Sequence, residues 1–240
     1  MRNVLIFMLL SFSFVWSAPV GKITFFIGSV EIQKSGASNR IPAIMGIAVN
    51  SGDAVMTGEE EFAEITLKDG SIMRVGEKSE LVLKGSDENR TPSLKKGRVW
   101  ANIKKLGKRT GDFKVHTGTA VAAIRGTVFK VEKNQNDSTS TVSVFEGNVD
   151  VGPDADLRKK LKKNSDSSNK NERTEISGPV EVPGPYEVTL DEWVNIVKGM
   201  QINVRPDGKY HKFKMDEESI AADKFIKINK ERDAKLEKTH

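Results

Sequence analysis

Few side chains in this 240-residue chain could do chemistry. Its three histidines, His116, His211 and His240, stand far apart, and it has no cysteine. A transition-metal site needs several nitrogen or sulfur ligands at workable spacing, so neither a metal nor a metal-borne cofactor is expected. The missing thiols rule out a cysteine nucleophile, a lipidated cysteine and every disulfide. No Gly-x-Ser-x-Gly elbow occurs. Asp69-Gly70-Ser71 has the look of a nucleophile setting, but it separates two apolar runs, and Asp-Gly is the strongest short hairpin signal, so it reads as a type I′ turn. Glu59-Glu60-Glu61 is the densest carboxylate group; neighbours on a strand point to opposite faces and make no acid–base pair. Asn134 to Ser138 lacks the alternating oxygen ligands and central glycine of a calcium loop. Gly118-Thr119 and Gly126-Thr127 are followed by no lysine-bearing helix and form no phosphate cradle. Arg125, between Ile124 and Val128-Phe129, is placed at the margin of a core. Its fork could tie down carbonyls of a turn or the carboxylate of Glu146, a structural role; the functional alternative is contact with an anion. No catalytic set and no cofactor site emerge.

The elements that would hold these residues are short strands. Phe62 to Leu67 alternates, with Phe62, Glu64 and Thr66 on one face and Ala63, Ile65 and Leu67 on the other. Ile72-Met73-Arg74-Val75 reads as its return strand. Ile23 to Ile27 with Val30-Glu31-Ile32 forms a strand pair or one strand bent at Gly28-Ser29. Leu81 to Leu83, Val99 to Ile103 and Phe113 to Thr117 follow, with Gly97 a turn or bulge. Val121 to Val131 breaks at Gly126, and Thr139 to Val151 reads as a hairpin turning at Glu146-Gly147-Asn148. Strands this short bury a core only by stacking, so the expected class is mainly β, an antiparallel β-sandwich or β-roll with a C-terminal helix.

Residues 1–17 read as a secretory leader: Arg2 in a short n-region, a mostly apolar run from Val4 to Val15, and Val15 and Ser17 placed for cleavage before Ala18. The run is well short of the ~20 residues a spanning helix needs, and no later segment reaches that length. The β domain is assigned to residues 18–151. Residues 152–177 read as a charged flexible loop, whose Arg158, Lys159, Lys160, Lys162 and Lys163 could touch a glycan or an anionic surface. Further strands are expected over 178–215: two about Pro183-Gly184-Pro185, a hairpin about Lys198-Gly199, and a turn at Arg205 to Lys209. Residues 216–240 read as a helical tail, capped by Asp216, with Ile220, Phe225, Ile228 and Leu236 as a thin apolar stripe. With 38 Lys and Arg against 33 Asp and Glu the net charge is +5, a statement about solubility that gives no reason to expect nucleic acid.

Taken in order, Gly52-Asp53 with Thr57, then Asp69-Gly70-Ser71, Leu94 with Gly97, Thr117, Arg125-Gly126-Thr127 with Phe129, and Glu146-Gly147 with Val149 resemble the periplasmic domain of the FecR family. The resemblance runs from about Gly46 to Val151. It implies a non-enzymatic all-β module outside the cytoplasm that works through protein contacts, here with another envelope protein. In the family's regulators that module takes a signal from an outer-membrane transporter and passes it to a sigma factor through a membrane helix. This chain has a leader where those regulators carry a cytoplasmic segment and the spanning helix, so fold and a periplasmic or secreted location are implied, and sigma-factor relay is not. A cell-wall or surface-glycan binder is the second expectation, and it would need exposed aromatic platforms such as Trp100 or Trp193.

Overall fold

The computed structural model describes residues 19–86, 88–105, 112–168, 188–190 and 192–238. The leader and the Pro-Gly-Pro turn lie outside them. In chain order the strands are β1 Pro19–Ile27, β2 Glu31–Gln33, β3 Arg40–Pro42, β4 Ala48–Asn50, β5 Ala54–Met56, β6 Phe62–Leu67, β7 Ile72–Val75, β8 Glu80–Val82, β9 Asn89–Arg90 and β10 Ser93–Asn102. They continue as β11 Asp112–His116, β12 Ala120–Ile124, β13 Val128–Lys133, β14 Ser140–Glu146 and β15 Asn148–Pro153. Helix α1 spans Ala155–Ser168; then come β16 Val188–Thr189, β17 Val194–Val197, β18 Met200–Val204, β19 Lys209–Lys214, α2 Glu217–Ala222 and α3 Lys224–Glu237.

Two sheets share β10. The first runs β4–β1–β6–β7–β10–β13–β14–β18–β19–β16, using the second half of β10. The second runs β3–β2–β5–β8–β10–β11–β12–β15–β17, using its first half. Pairing is antiparallel except where β11 meets β10 and β9. The inward residues of both sheets form one core, in which Ile23, Ile65, Met73, Phe129 and Val142 of the first sheet meet Ile32, Leu81, Val115, Ala122 and Val151 of the second. Each large side chain buried there stabilises by about 1.5–3 kcal/mol. The expected β class with its C-terminal helix is the observed one, in its sandwich form.

The chain repeatedly changes sheet, and three local readings are corrected on that account. β14 and β15 do not pair: Gly147 turns the chain from the first sheet, where β14 lies between β13 and β18, to the second, where β15 lies between β12 and β17. Lys198-Gly199 makes the same switch in reverse between β17 and β18. Spacing alone cannot separate such a corner from a hairpin, since both need a glycine between two strands. At Asp69-Gly70 the hairpin is real, but only Gly70 has a positive φ, 78°. Its N–H donates to Leu67 O at 2.9 Å and Leu67 N–H to Ser71 O at 2.8 Å. That is a type I turn closed by a glycine bulge, in place of type I′.

Two longer segments also differ from expectation. Within the stretch read as a loop, Gly152 and Pro153 finish β15 and residues 155–168 form α1. Its Ala, Leu, Lys and Arg are good helix formers, and Leu157, 2% exposed, anchors its first turn in the core. The tail forms two helices. Asp216 caps α2 by accepting from Ser219 N at 2.9 Å, and Asp223 caps α3 by accepting from Phe225 N at 2.9 Å. Of the expected stripe, Phe225 is buried and Ile220 packs against the same cluster, whereas Ile228 and Leu236 are 46% and 37% exposed. Beside Phe225 the docking face takes in Ile226, Asn229 and Asp233, because the sheet beneath α3 is itself partly polar.

Candidate functional site

Most of the family residues hold corners. Asp53 is buried beside Gly52, where β4 leaves the first sheet for β5. Its carboxylate accepts from Asn50 N and Ser35 N, each at 2.9 Å, and from Lys34 Nζ at 2.8 Å. Thr57 donates to Gly76 O at 2.5 Å and accepts from Ser79 N at 3.0 Å. Gly97, φ 81°, lies against the backbone of that same Ser79, at the bend that carries β10 from one sheet to the other. A side chain here would be strained twice, by the left-handed backbone and by contact. Thr57 and Gly97 thus share one joint around Ser79.

A second group gathers at one end of the sandwich. Asp69 accepts from Ser71 N and Ser71 Oγ, each at 2.9 Å, and pairs with Arg90 at 2.5 Å. Burial pushes the Asp69 carboxyl up, but Arg90 and the Ser71 hydrogen bonds outweigh it and hold it below the usual carboxylate range. Ser71 Oγ in turn accepts from Lys104 N at 3.1 Å, and Ile103 N donates to Thr127 O at 3.0 Å. Gly147 packs on Gly126 and Thr127 and accepts from Lys198 N at 3.1 Å. So Asp69, Gly70, Ser71, Gly126, Thr127, Glu146 and Gly147 are brought together, while Gly52 with Asp53 stands apart.

Arg125 corrects its expectation. It is exposed and, among the described residues, has no hydrogen bond or ion pair, to Glu146 or any other. Glu146 is exposed too. Residue 125 falls at the outer side of the corner between β12 and β13, where the chain turns outward after Ile124. Lys104, Lys105 and Lys198 are exposed around the same end, so its surface is basic, with Glu146 the family's acidic residue on it.

The outer face of the first sheet was invisible to the sequence reading. Glu64, Arg74, Trp100 and Lys130 point away from the core, yet all are buried, because α3 lies over them. Arg74, 0% exposed, donates from Nε to Glu64 at 2.7 Å and from Nη1 to Asp233 at 2.5 Å. Trp100 Nε1 donates to the other Asp233 oxygen at 2.9 Å. Arg232 reaches Glu64 at 3.0 Å and lies 4.1 Å over the Phe25 ring. Lys130 meets Asp223 at 3.2 Å. Phe62, Phe145, Met215, Phe225 and Ile226 complete a second, smaller core. Burial pushes Glu64 up, and the two arginines bring it below its ordinary value; Asp223 is likewise lowered, chiefly by Lys130, against its burial. A charged residue inside the apolar Ile72–Val75 run was the one available signal.

His116 is half-buried, with Nδ1 3.3 Å from Asp154 Oδ2. The surrounding cleft also holds Lys84, Lys95 and Lys133. Among the described residues no group of three or more His, Asp and Glu could hold a metal, and no helix is long and apolar enough to cross a membrane. The glycan reading loses its main platform: Trp100 is 1% exposed beneath α3. Trp193 is half-exposed and lies on Gly152. Arg158, Lys159 and Lys160 are exposed on α1, and only the backbone of Lys162 and Lys163 is described.

No curated protein matches the chain. Among solved structures, two crystal structures of a "putative anti-sigma factor" from Parabacteroides distasonis, at 1.65 and 2.50 Å resolution, match with 17% identity and a TM-score of 0.49. The match covers 70% of this chain but only 63% and 62% of theirs, so the chain spans less than two thirds of their length. Residues 53–150 match the sequence pattern described as FecR protein, which takes in the run from the Asp53 joint into β15, the third strand after the Arg125 corner. That segment, folded as part of the two-sheet body described above, is the part of the chain that is similar to the FecR family.

Proposed function

We propose that this protein is a non-enzymatic FecR-type module, exported to the cell envelope, that carries a signal or a scaffold contact by binding another envelope protein. The observation that supports this reading is the division of labour among the family residues. Gly52, Asp53, Thr57, Asp69, Gly70, Ser71, Gly97, Gly126 and Gly147 are used up in holding turns and joints. Arg125 and Glu146 have no such duty and face solvent on a basic end of the sandwich. Surface charges free of internal partners steer association and fix register against a partner of opposite charge. The contact is therefore placed at the Arg125 end, with an acidic patch or segment of the partner against it. Export rests on the leader of residues 1–17.

The test is chemical crosslinking and affinity capture from envelope extracts with the wild-type protein and an Arg125→Glu, Lys105→Glu variant. The variant should keep its thermal unfolding midpoint and lose its captured partner at least tenfold. Retention of the same partner by a fully folded variant would overturn the placement. Mass measurement of the envelope-fraction protein checks export separately, with cleavage expected after Ser17.

A further inference from the structure

The cleft beside His116 carries charge that the fold does not use. It has a volume of about 460 Å³, is lined from both sheets, and lies at the opposite end of β12 and β13 from the Arg125 corner. Lys84 lies in the loop after β8, Lys95 sits in the first half of β10, and Lys133 ends β13, so three separate segments deliver ammonium groups to one hollow. Among the described residues none of the three has a carboxylate within ion-pair distance. Lys133 is half-buried and donates to Thr117 O at 2.6 Å. Burial and the like charge of Lys95, with a smaller push from Lys160, pull its pKa below the ordinary lysine value, and the nearby charge of Asp154 offsets this only in part. The hydroxyls of Thr91 and Ser93 line the same hollow and have no hydrogen-bond partner among the described residues.

The acidic groups present do not cancel this excess. Asp154 is already engaged by His116, by Gly118 N at 3.1 Å and by Ala155 N. Asp156 is exposed in the first turn of α1. Like-charged ammonium groups crowding a half-buried lysine are unfavourable unless an anion joins them.

We infer that this cleft binds a phosphate or phosphate-monoester group, with Lys84, Lys95 and Lys133 as its cationic ligands and Thr91 and Ser93 as neutral donors. A phosphate monoester fits because it brings nearly two negative charges and three acceptor oxygens to three point charges. A lone carboxylate would be better served by the fork of an arginine, and no arginine lines the cleft. The volume leaves room for a small organic group on the phosphate.

The experiment uses the full chain and three probes: inorganic phosphate, glycerol 3-phosphate, and phosphatidylcholine vesicles with or without phosphatidic acid. Binding is followed by calorimetry or vesicle sedimentation, and located by amide shifts at Gly118 and Lys133. Saturable 1:1 binding of a soluble probe assigns a soluble ligand; retention on phosphatidic acid vesicles alone assigns a lipid headgroup. In either case Lys133→Met should weaken binding at least about tenfold, the worth of a charge-assisted hydrogen bond. Lys95→Ala, at an exposed lysine without a structural partner, should weaken it severalfold with unfolding unchanged, and Lys227→Ala on α3 should leave it intact. No saturable binding to any probe, or equal loss in Lys227→Ala, overturns the site. Loss of the Arg125-dependent protein partner would leave this result untouched, so the two proposals fail separately.

Discussion

Removing the Asp233 carboxylate tests how α3 is held. Asp233→Ala takes away the partner of Arg74 Nη1 at 2.5 Å and of Trp100 Nε1 at 2.9 Å. Arg74 Nη2 already has no hydrogen-bond partner, so the variant leaves a fully buried guanidinium with Glu64 as its one carboxylate from the sheet and only a long bond from Nη1 to Asn229 O at 3.4 Å. Breaking a buried pair from one side costs about 3–5 kcal/mol, within which an orphaned indole N–H accounts for about 1–3 kcal/mol. The protein has a cheaper route than bearing that cost in place. If α3 lifts off, water reaches Arg74 and Trp100, and the loss is limited to the docking energy of the helix, for which Phe225 and Ile226 supply about 1.5–3 kcal/mol each. The expected result is local: α3 amides exchange two to three orders of magnitude faster, since each 1.4 kcal/mol is about tenfold. The β-sheet amides should change little, and Trp100 emission should shift to the red. The double variant Arg74→Met, Asp233→Leu should restore much of the protection, because an apolar pair needs no compensation. Exchange in Asp233→Ala indistinguishable from that in Lys227→Ala would refute the reasoning.

Three further outcomes follow from the same structure. Deleting residues 216–240 bares Phe62, Trp100 and Phe145, so the truncated protein should bind a hydrophobic dye and self-associate; a dye-silent monomer would show the face is covered by something else. Glu64, Asp69, Asp154 and Asp223 are all held below the ordinary carboxylate range. Their stabilisation is complete above that range and is lost as pH falls through the depressed folded values, so urea midpoints should hold from pH 8 to about 5 and drop below about pH 4. A flat profile down to pH 3 contradicts this, and Glu64→Gln should lessen the slope. Gly97→Ala places a side chain at φ 81° against Ser79 and should cost at least about 1–3 kcal/mol in chemical denaturation; a loss under about 0.5 kcal/mol would mean the bend relaxes freely.

The β class and most strand positions were legible because period-two alternation survives in runs such as Phe62 to Leu67. What alternation cannot show is where a strand goes next. Gly70 makes a true hairpin, whereas Gly147 and Gly199 carry the chain to the other sheet, although all three have positive φ. Alternation also misjudged the outer face of the first sheet. Glu64 and Arg74 look solvated in sequence, and only the residues of α3, more than a hundred positions later, make them buried. The tail helix misled for the complementary reason: its partner surface is charged, so its docking face contains Asn229 and Asp233, and its apolar residues Ile228 and Leu236 face outward. The cleft lysines come from the loop after β8, from β10 and from β13 and share no motif, which is why no pattern in the sequence links them.

The clasp between Arg74 and Asp233 joins residues 159 positions apart, and that between Trp100 and Asp233 spans 133. Contacts of such long range form late, after the entropy of closing the intervening chain has been overcome. A nascent chain therefore holds its aromatic outer face open until α3 is free to arrive. Loss of α2 and α3 leaves that face permanently bare, the kind of exposed apolar surface that makes a chain prone to aggregation and proteolysis.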